Sequence, residues 1–65
     1  MNEYKIEISY MVGRKRVHEI VYTINSRAAD AAYEIRREYF DFDGLRIERV
    51  WINTGNAWEV REFDY

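Results

Sequence analysis

Cysteine and proline are absent from this chain, and histidine occurs once among its 65 residues. Each shortage closes a route to function. Without cysteine no disulfide can reinforce the fold, and no thiolate-bound zinc or iron–sulfur site can form. One histidine does not supply the ligand sets on which metal centres usually draw. A surplus of one charge is lacking too: Lys and Arg number 10 against 12 Asp and Glu, a formal net charge of −2. Strong electrostatic affinity for nucleic acid comes with a clear basic surplus, and a DNA mimic would need a larger acidic one. No apolar run approaches the length of a membrane-spanning helix, and the N-terminal residues alternate instead of forming the apolar block of a signal peptide. The expectation is a soluble cytoplasmic protein with no membrane partner, no cofactor and no metal.

What the chain has is bulk. Aromatic residues make up 17% of it, and each removes far more area from water than an alanine does. The length implies one domain over residues 1–65 with one small core. Domains of about 60 residues bury only roughly 60% of their unfolded surface, so their stability is marginal. Aromatic burial is one supplement. Homodimerisation through an open sheet edge is the other.

Tyr4-Lys5-Ile6-Glu7-Ile8-Ser9-Tyr10 alternates strictly, which places Tyr4, Ile6, Ile8 and Tyr10 on one face of a half-buried strand. Residues 17–24 read as a second strand with Ile20, Tyr22 and Ile24 on one side. Between them, residues 13–16 form a glycine-led, charged turn. Its length decides the register. A two-residue loop at Gly13-Arg14 sets Ile8 opposite Glu19, facing the core. A three-residue loop over Gly13 to Lys15 pairs Ile8 with Ile20, Ile6 with Tyr22 and Tyr4 with Ile24. Apolar contact favours the longer loop, and a one-residue slip inverts every side chain. In that register Met11, Val17 and Val21 form an apolar strip on the other face, a candidate self-association surface.

Asn25-Ser26 ends the strand, and the Ser26 hydroxyl is placed to cap a helix. Over residues 27–40 the period changes: Ala28, Ala31, Ala32, Ile35 and Tyr39 share one face, while Arg27, Asp30, Glu34, Arg37 and Glu38 share the other. The alanines let the helix approach a sheet closely. Asp41-Phe42-Asp43-Gly44 closes it, with Gly44 suited to a left-handed position and Phe40 and Phe42 capping the core. Residues 45–53 make a third strand in which a bulge near Glu48-Arg49 returns Leu45, Ile47, Val50 and Ile52 to one face. Asn53-Thr54-Gly55-Asn56 is a turn, and residues 57–63 a fourth strand. A three-residue loop there opposes Ile52 with Trp58 and Val50 with Val60, and turns Trp51 outward. The predicted fold is α+β: ββαββ, a four-stranded, mostly antiparallel sheet with one helix on one face. Strand three runs in the direction of strand two.

Catalytic chemistry is scarce. His18, beside Tyr10, reads as a packing residue. Asp41-Phe42-Asp43-Gly44 lacks the later ligands of a calcium loop. No Ser–His–Asp spacing or phosphate-cradling glycine loop occurs, and Glu7, Glu19, Glu48 and Glu59 read as solvated strand residues. The chain is not expected to be an enzyme. Its binding candidates are Arg14, Lys15 and Arg16 at the hairpin, joined by Arg49, Trp51 and Arg61, with Arg46 nearby. Arginine with tryptophan is the usual make-up of an interface hot spot, and the same residues can stack bases. Tyr33 and Tyr65 are further exposed aromatics.

The run Tyr22-Thr23-Ile24-Asn25-Ser26, then Ala28, Ala31 and Ala32, then Gly44, Ile47, Glu48, Val50 and Trp58, resembles a layout of small phage and plasmid proteins. Some phage-encoded anti-CRISPR inhibitors are similar in length and order of elements. The resemblance covers most of the chain through packing positions, so it transfers no binding residue. It implies a protein that occupies a surface on a larger host protein or ribonucleoprotein complex. Two alternatives stand beside it: a small nucleic-acid-binding module using residues 13–16, and a homo-oligomeric accessory protein, in the simplest case a homodimer.

Overall fold

The computed structural model describes residues 1–63. Strand β1 (Asn2–Val12) and strand β2 (Lys15–Asn25) form a long hairpin. Helix α1 (Ala28–Glu38) follows, then β3 (Arg46–Asn53) and the short β4 (Trp58–Val60). The four strands form one sheet in the order β2-β1-β3-β4, and every neighbouring pair is antiparallel. β1 lies between β2 and β3, so those two run in the same direction without pairing. The expected α+β architecture, ββαββ with one helix on a four-stranded sheet, is what the chain adopts.

The first hairpin closes with two residues, not three. Gly13 has φ +62° and, among the described residues, no non-glycine residue has positive φ, so Arg14 completes the negative second position of a type II′ turn. The pairing that follows is Ile8 with Glu19, Ile6 with Val21 and Tyr4 with Thr23. Ile20, Tyr22 and Ile24 therefore lie on the face away from the helix, where Tyr22 is 60% and Ile24 63% exposed. The expected core register is overturned, because the turn matches strand twist only when glycine takes its first central position. Glu19, carried to the helix side, is satisfied there: the Tyr10 hydroxyl donates to its Oε1 at 2.8 Å. The strip of Met11, Val17 and Val21 does not form either, since Val17 and Val21 now share the face of Tyr10 and Ile6 while Met11 points the other way.

Under the helix the alternation holds. Tyr4, Ile6, Ile8, Ile47 and Val50 from the sheet meet Ala31, Ala32 and Ile35 from the helix, all buried, with Ala28, Tyr39, Leu45 and Ile52 around them. The alanines have no side chain long enough to hold the helix off the strands, as their spacing implies. Ser26 does not cap the helix. Arg27 occupies the N-cap position with extended φ and ψ and no side-chain cap bond, while its side chain pairs with Asp30 at 3.2 Å. The helix stops at Glu38, and Phe42 stacks edgewise on Tyr10 and Tyr39 at 4.8 Å between centroids in each case. Phe40 does not cap the core: it is 80% exposed.

β3 carries the expected bulge. Glu7 pairs with Arg49 and Ile8 with Ile47, so Glu48 is the extra residue, and Ile47 and Val50 both face the core. The second hairpin is shifted from expectation. Four residues, 54–57, separate β3 from β4, and Trp58 pairs with Asn53 while Glu59 pairs with Ile52. Local bonds set that loop: Asn53 Oδ1 accepts from the Gly55 amide at 2.8 Å, and the Thr54 amide donates to the Ala57 carbonyl at 2.9 Å. Trp58 and Val60 consequently leave the helix side.

Candidate functional site: the open face of the sheet

The two register outcomes act together. Side chains directly opposite in antiparallel strands share a face, so Tyr22, Lys5, Trp51 and Val60 form one row across the side without a helix. Ile20, Glu7 and Arg49 form the row on one flank. On the other flank Ile24 faces Glu3, and Asn53 faces Trp58. The Asn53 amide donates to Glu3 Oε1 at 2.9 Å and ties that row together.

Lys5 organises the centre. Its ammonium lies 4.6 Å from the centroid of the Trp51 ring and 4.9 Å from that of Trp58. Cation–π attraction of this kind is worth roughly 0.5–2 kcal/mol, more as water is excluded. The Arg49 guanidinium lies 5.9 Å from the Trp51 centroid. Tyr22 and Trp58 approach to 6.0 Å between centroids with their planes tilted by 53°. The result is a packed aromatic surface flanked by the exposed Ile20, Ile24 and Val60. Contiguous apolar surface of this kind is a candidate docking site.

Towards the hairpin tip the same face is closed by polar groups. Ser9 is fully buried. Its hydroxyl donates to Glu48, the bulge residue, and accepts from Arg16 Nη1 at 2.9 Å. The same Arg16 nitrogen donates to the Gly44 carbonyl at 2.9 Å. Gly44 has φ +60°, and a Cβ there would stand 3.0 Å from the Arg16 guanidinium. The glycine is needed where Arg16 crosses, well beyond the end of the helix.

The six residues expected to bind are thus divided. Arg14 and Lys15 are exposed at the hairpin tip, while Arg16 folds back onto Ser9 and Gly44. Tyr22 is seven residue steps along β2 from Lys15, about 23 Å at the usual rise, so the tip and the aromatic surface are not one patch. Arg49 and Trp51 belong to the aromatic surface. Arg61 pairs with Glu59 at 3.8 Å, beyond the end of β4. Lys5, Tyr22, Trp58, Ile20 and Ile24 were not among the expected contacts. Gly13 at the head of a two-residue turn is the signal for Ile20, Tyr22 and Ile24; Trp58 depends on the length of the 54–57 loop, and Lys5 on the alternation of β1. Tyr33 is exposed on the helix, with the Arg37 guanidinium 5.9 Å from its ring. Tyr65 lies outside the described residues.

His18 sits exposed on the open face with Nδ1 3.0 Å from Glu7 Oε2, not partly buried beside Tyr10 as expected. Among the described residues no three His, Cys, Asp or Glu side chains group as metal ligands. Two phenols are perturbed. The bond donated to Glu19 raises the pKa of Tyr10 above its ordinary 10.0, and partial burial adds to this. Burial first, then the Glu19 charge, raises that of Tyr39. Both are structural groups beside the helix. No helix among the described residues is long and apolar enough to cross a membrane.

No protein-family model matches the chain, no curated protein matches it, and no solved structure matches it.

Proposed function

We propose that this protein is a non-enzymatic binding module that presses the open face of its sheet onto a surface of a larger partner protein. The observation that carries this is the row Tyr22–Lys5–Trp51 with Trp58, an aromatic surface flanked by exposed isoleucines. Rigid aromatic side chains on a sheet lose little conformational entropy on docking, and Trp, Tyr and Arg dominate interface hot spots. Arg49 at the rim and the charged hairpin tip set orientation and association rate more than affinity. The resemblance to small phage-encoded inhibitors supplies the class of partner, a host defence complex of the CRISPR type in the cytoplasm, blocked by steric occupation. A single-stranded nucleic acid is a weaker fit. The bases would find rings to stack on, but Glu3 and Glu7 stand in the same face and the net charge is −2.

The test is phage plating on cells with an active type I CRISPR system, with and without this chain. Restored plating by the wild-type chain, lost in Tyr22→Ala and Trp51→Ala and kept in Tyr33→Ala, is the expected result. Unchanged immunity in every case removes the defence-inhibitor reading. Tight, salt-sensitive binding of single-stranded oligonucleotides would replace it with the nucleic-acid reading.

A further inference from the structure

The sheet has two edges of very different kinds. β4 presents three residues, the short edge by which proteins discourage pairing with other chains. β2 presents eleven, with no register break along its pairing to β1. From Ile20 to Asn25 it has no charge and no proline.

Which backbone groups of β2 face outward follows from one hydrogen bond. The Met11 amide donates to the Asp43 carbonyl at 2.8 Å, on the side of β1 away from β2. Backbone direction alternates along a strand, so the even residues of β1 bond to β2 and the odd ones turn away. Their partners on β2 are the odd residues from Lys15 to Thr23. The amides and carbonyls of Arg16, His18, Ile20, Tyr22 and Ile24 therefore point off the sheet. Among the described residues, none of them takes part in a backbone bond outside the strand ladder.

We propose that two copies of the chain pair through β2, antiparallel and centred on Ile20, joining two four-stranded sheets into one. A two-fold axis perpendicular to the sheet keeps both helices on the same side, so odd residues must meet odd and even meet even. Centred on Ile20, the outward groups of Arg16 meet those of the partner's Ile24, those of His18 meet the partner's Tyr22, and Ile20 meets the partner's Ile20. On the helix side Val17 meets the partner's Thr23, and Glu19 meets the partner's Val21. Lys15 meets the partner's Asn25, whose amide already holds Glu34 at 2.6 Å. That places an exposed cation against an exposed carboxylate at both ends of the seam. Neighbouring registers lack this match. Centring on Glu19 opposes two carboxylates, and centring on Val21 carries Lys15 to the partner's Arg27. Charge complementarity, apolar contact and free backbone groups select one register. The pairing also supplements a core that is small for lack of chain.

Sedimentation velocity from micromolar to submillimolar protein tests the proposal. The wild-type chain is expected to sediment as a dimer that dissociates on dilution. Ile20→Lys and Ile20→Glu, each at an exposed side chain, are expected to be monomers, and their equimolar mixture to recover the dimer. Amide exchange on the wild-type chain is a second readout that needs no variant to fold: exchange at His18, Ile20 and Tyr22 slows with rising concentration. A wild-type chain that stays monomeric, variants that dimerise as wild type does, a mixture of monomeric variants that fails to recover the dimer, or concentration-independent exchange at those amides would each overturn it.

Discussion

The Tyr22 and Trp58 rings, carried by the two outermost strands of the sheet, come within 6.0 Å of each other between centroids. Strand spacings of about 4.8 Å put their backbones roughly 14 Å apart, so both rings lean inward across β1 and β3. The open face is a surface in which side chains from all four strands touch, with Lys5 between two indoles. Its order is built from contacts within the chain.

Lys5→Met keeps the aliphatic stem and removes the ammonium. We expect a stability loss of about 0.5–1 kcal/mol, read from urea denaturation, with a shift of tryptophan emission. A variant as stable as wild type, with unchanged emission, would show that the cation contributes nothing to the arrangement.

The register of the first hairpin has a stability signature. Ile6→Ala removes a fully buried side chain and is expected to cost about 2–5 kcal/mol, enough to unfold a chain of this size. Ile24→Ala, at a side chain 63% exposed, is expected to stay within about 0.5 kcal/mol of wild type. Thermal melts of the two variants separate this register from the slipped one, in which both substitutions would be severe.

Gly13→Ala meets nothing within 4 Å, so only backbone strain at φ +62° acts. About 1–2 kcal/mol is expected. Gly44→Ala carries the same strain and also presses on the Arg16 guanidinium and on Met11 Cγ at 3.2 Å. It should lose more than Gly13→Ala in parallel urea melts. Equal losses would mean that Arg16 moves aside freely.

Alkaline pH tests the Glu19 contact. The pKa values of Tyr10 and Tyr39 are raised in the folded state, so the protonated phenols favour folding. That contribution is full below the ordinary value of 10.0 and is lost as pH rises through the higher folded values. Ultraviolet titration of the phenolate band should show ionisation above 10.0 for both groups. Glu19→Gln should move both downward, Tyr10 more than Tyr39. A titration unchanged by Glu19→Gln would break the assignment.

Much of this fold was legible because it is written in short periods. The alternation from Tyr4 to Tyr10 named the buried face of β1 correctly, and the alanine spacing named the buried face of the helix. The bulge was legible as well, since Ile47 and Val50 share a face only if one residue is skipped. The open face was legible in one residue of its centre, Trp51. Tyr22 and Trp58 were missed because each depends on the length of a loop, and apolar matching argued for the wrong length both times. In β2 the polar residues had other solutions. Thr23 is buried with its hydroxyl accepting from Asn25 at 3.0 Å, and Glu19 holds Tyr10. Ser9 shows the converse, a polar residue on the open face buried by Arg16 and Glu48 from elsewhere in the chain.

Sequence alone determined the elements, their order and the side of β1 and of the helix that turns inward, because these follow from spacing within one segment. The three-dimensional arrangement decided which side of β2 and β4 stays in contact with water. That choice rests on turn geometry and on the reach of one eleven-residue helix, which covers a single face of the sheet and leaves the aromatic residues of the other without a helix over them.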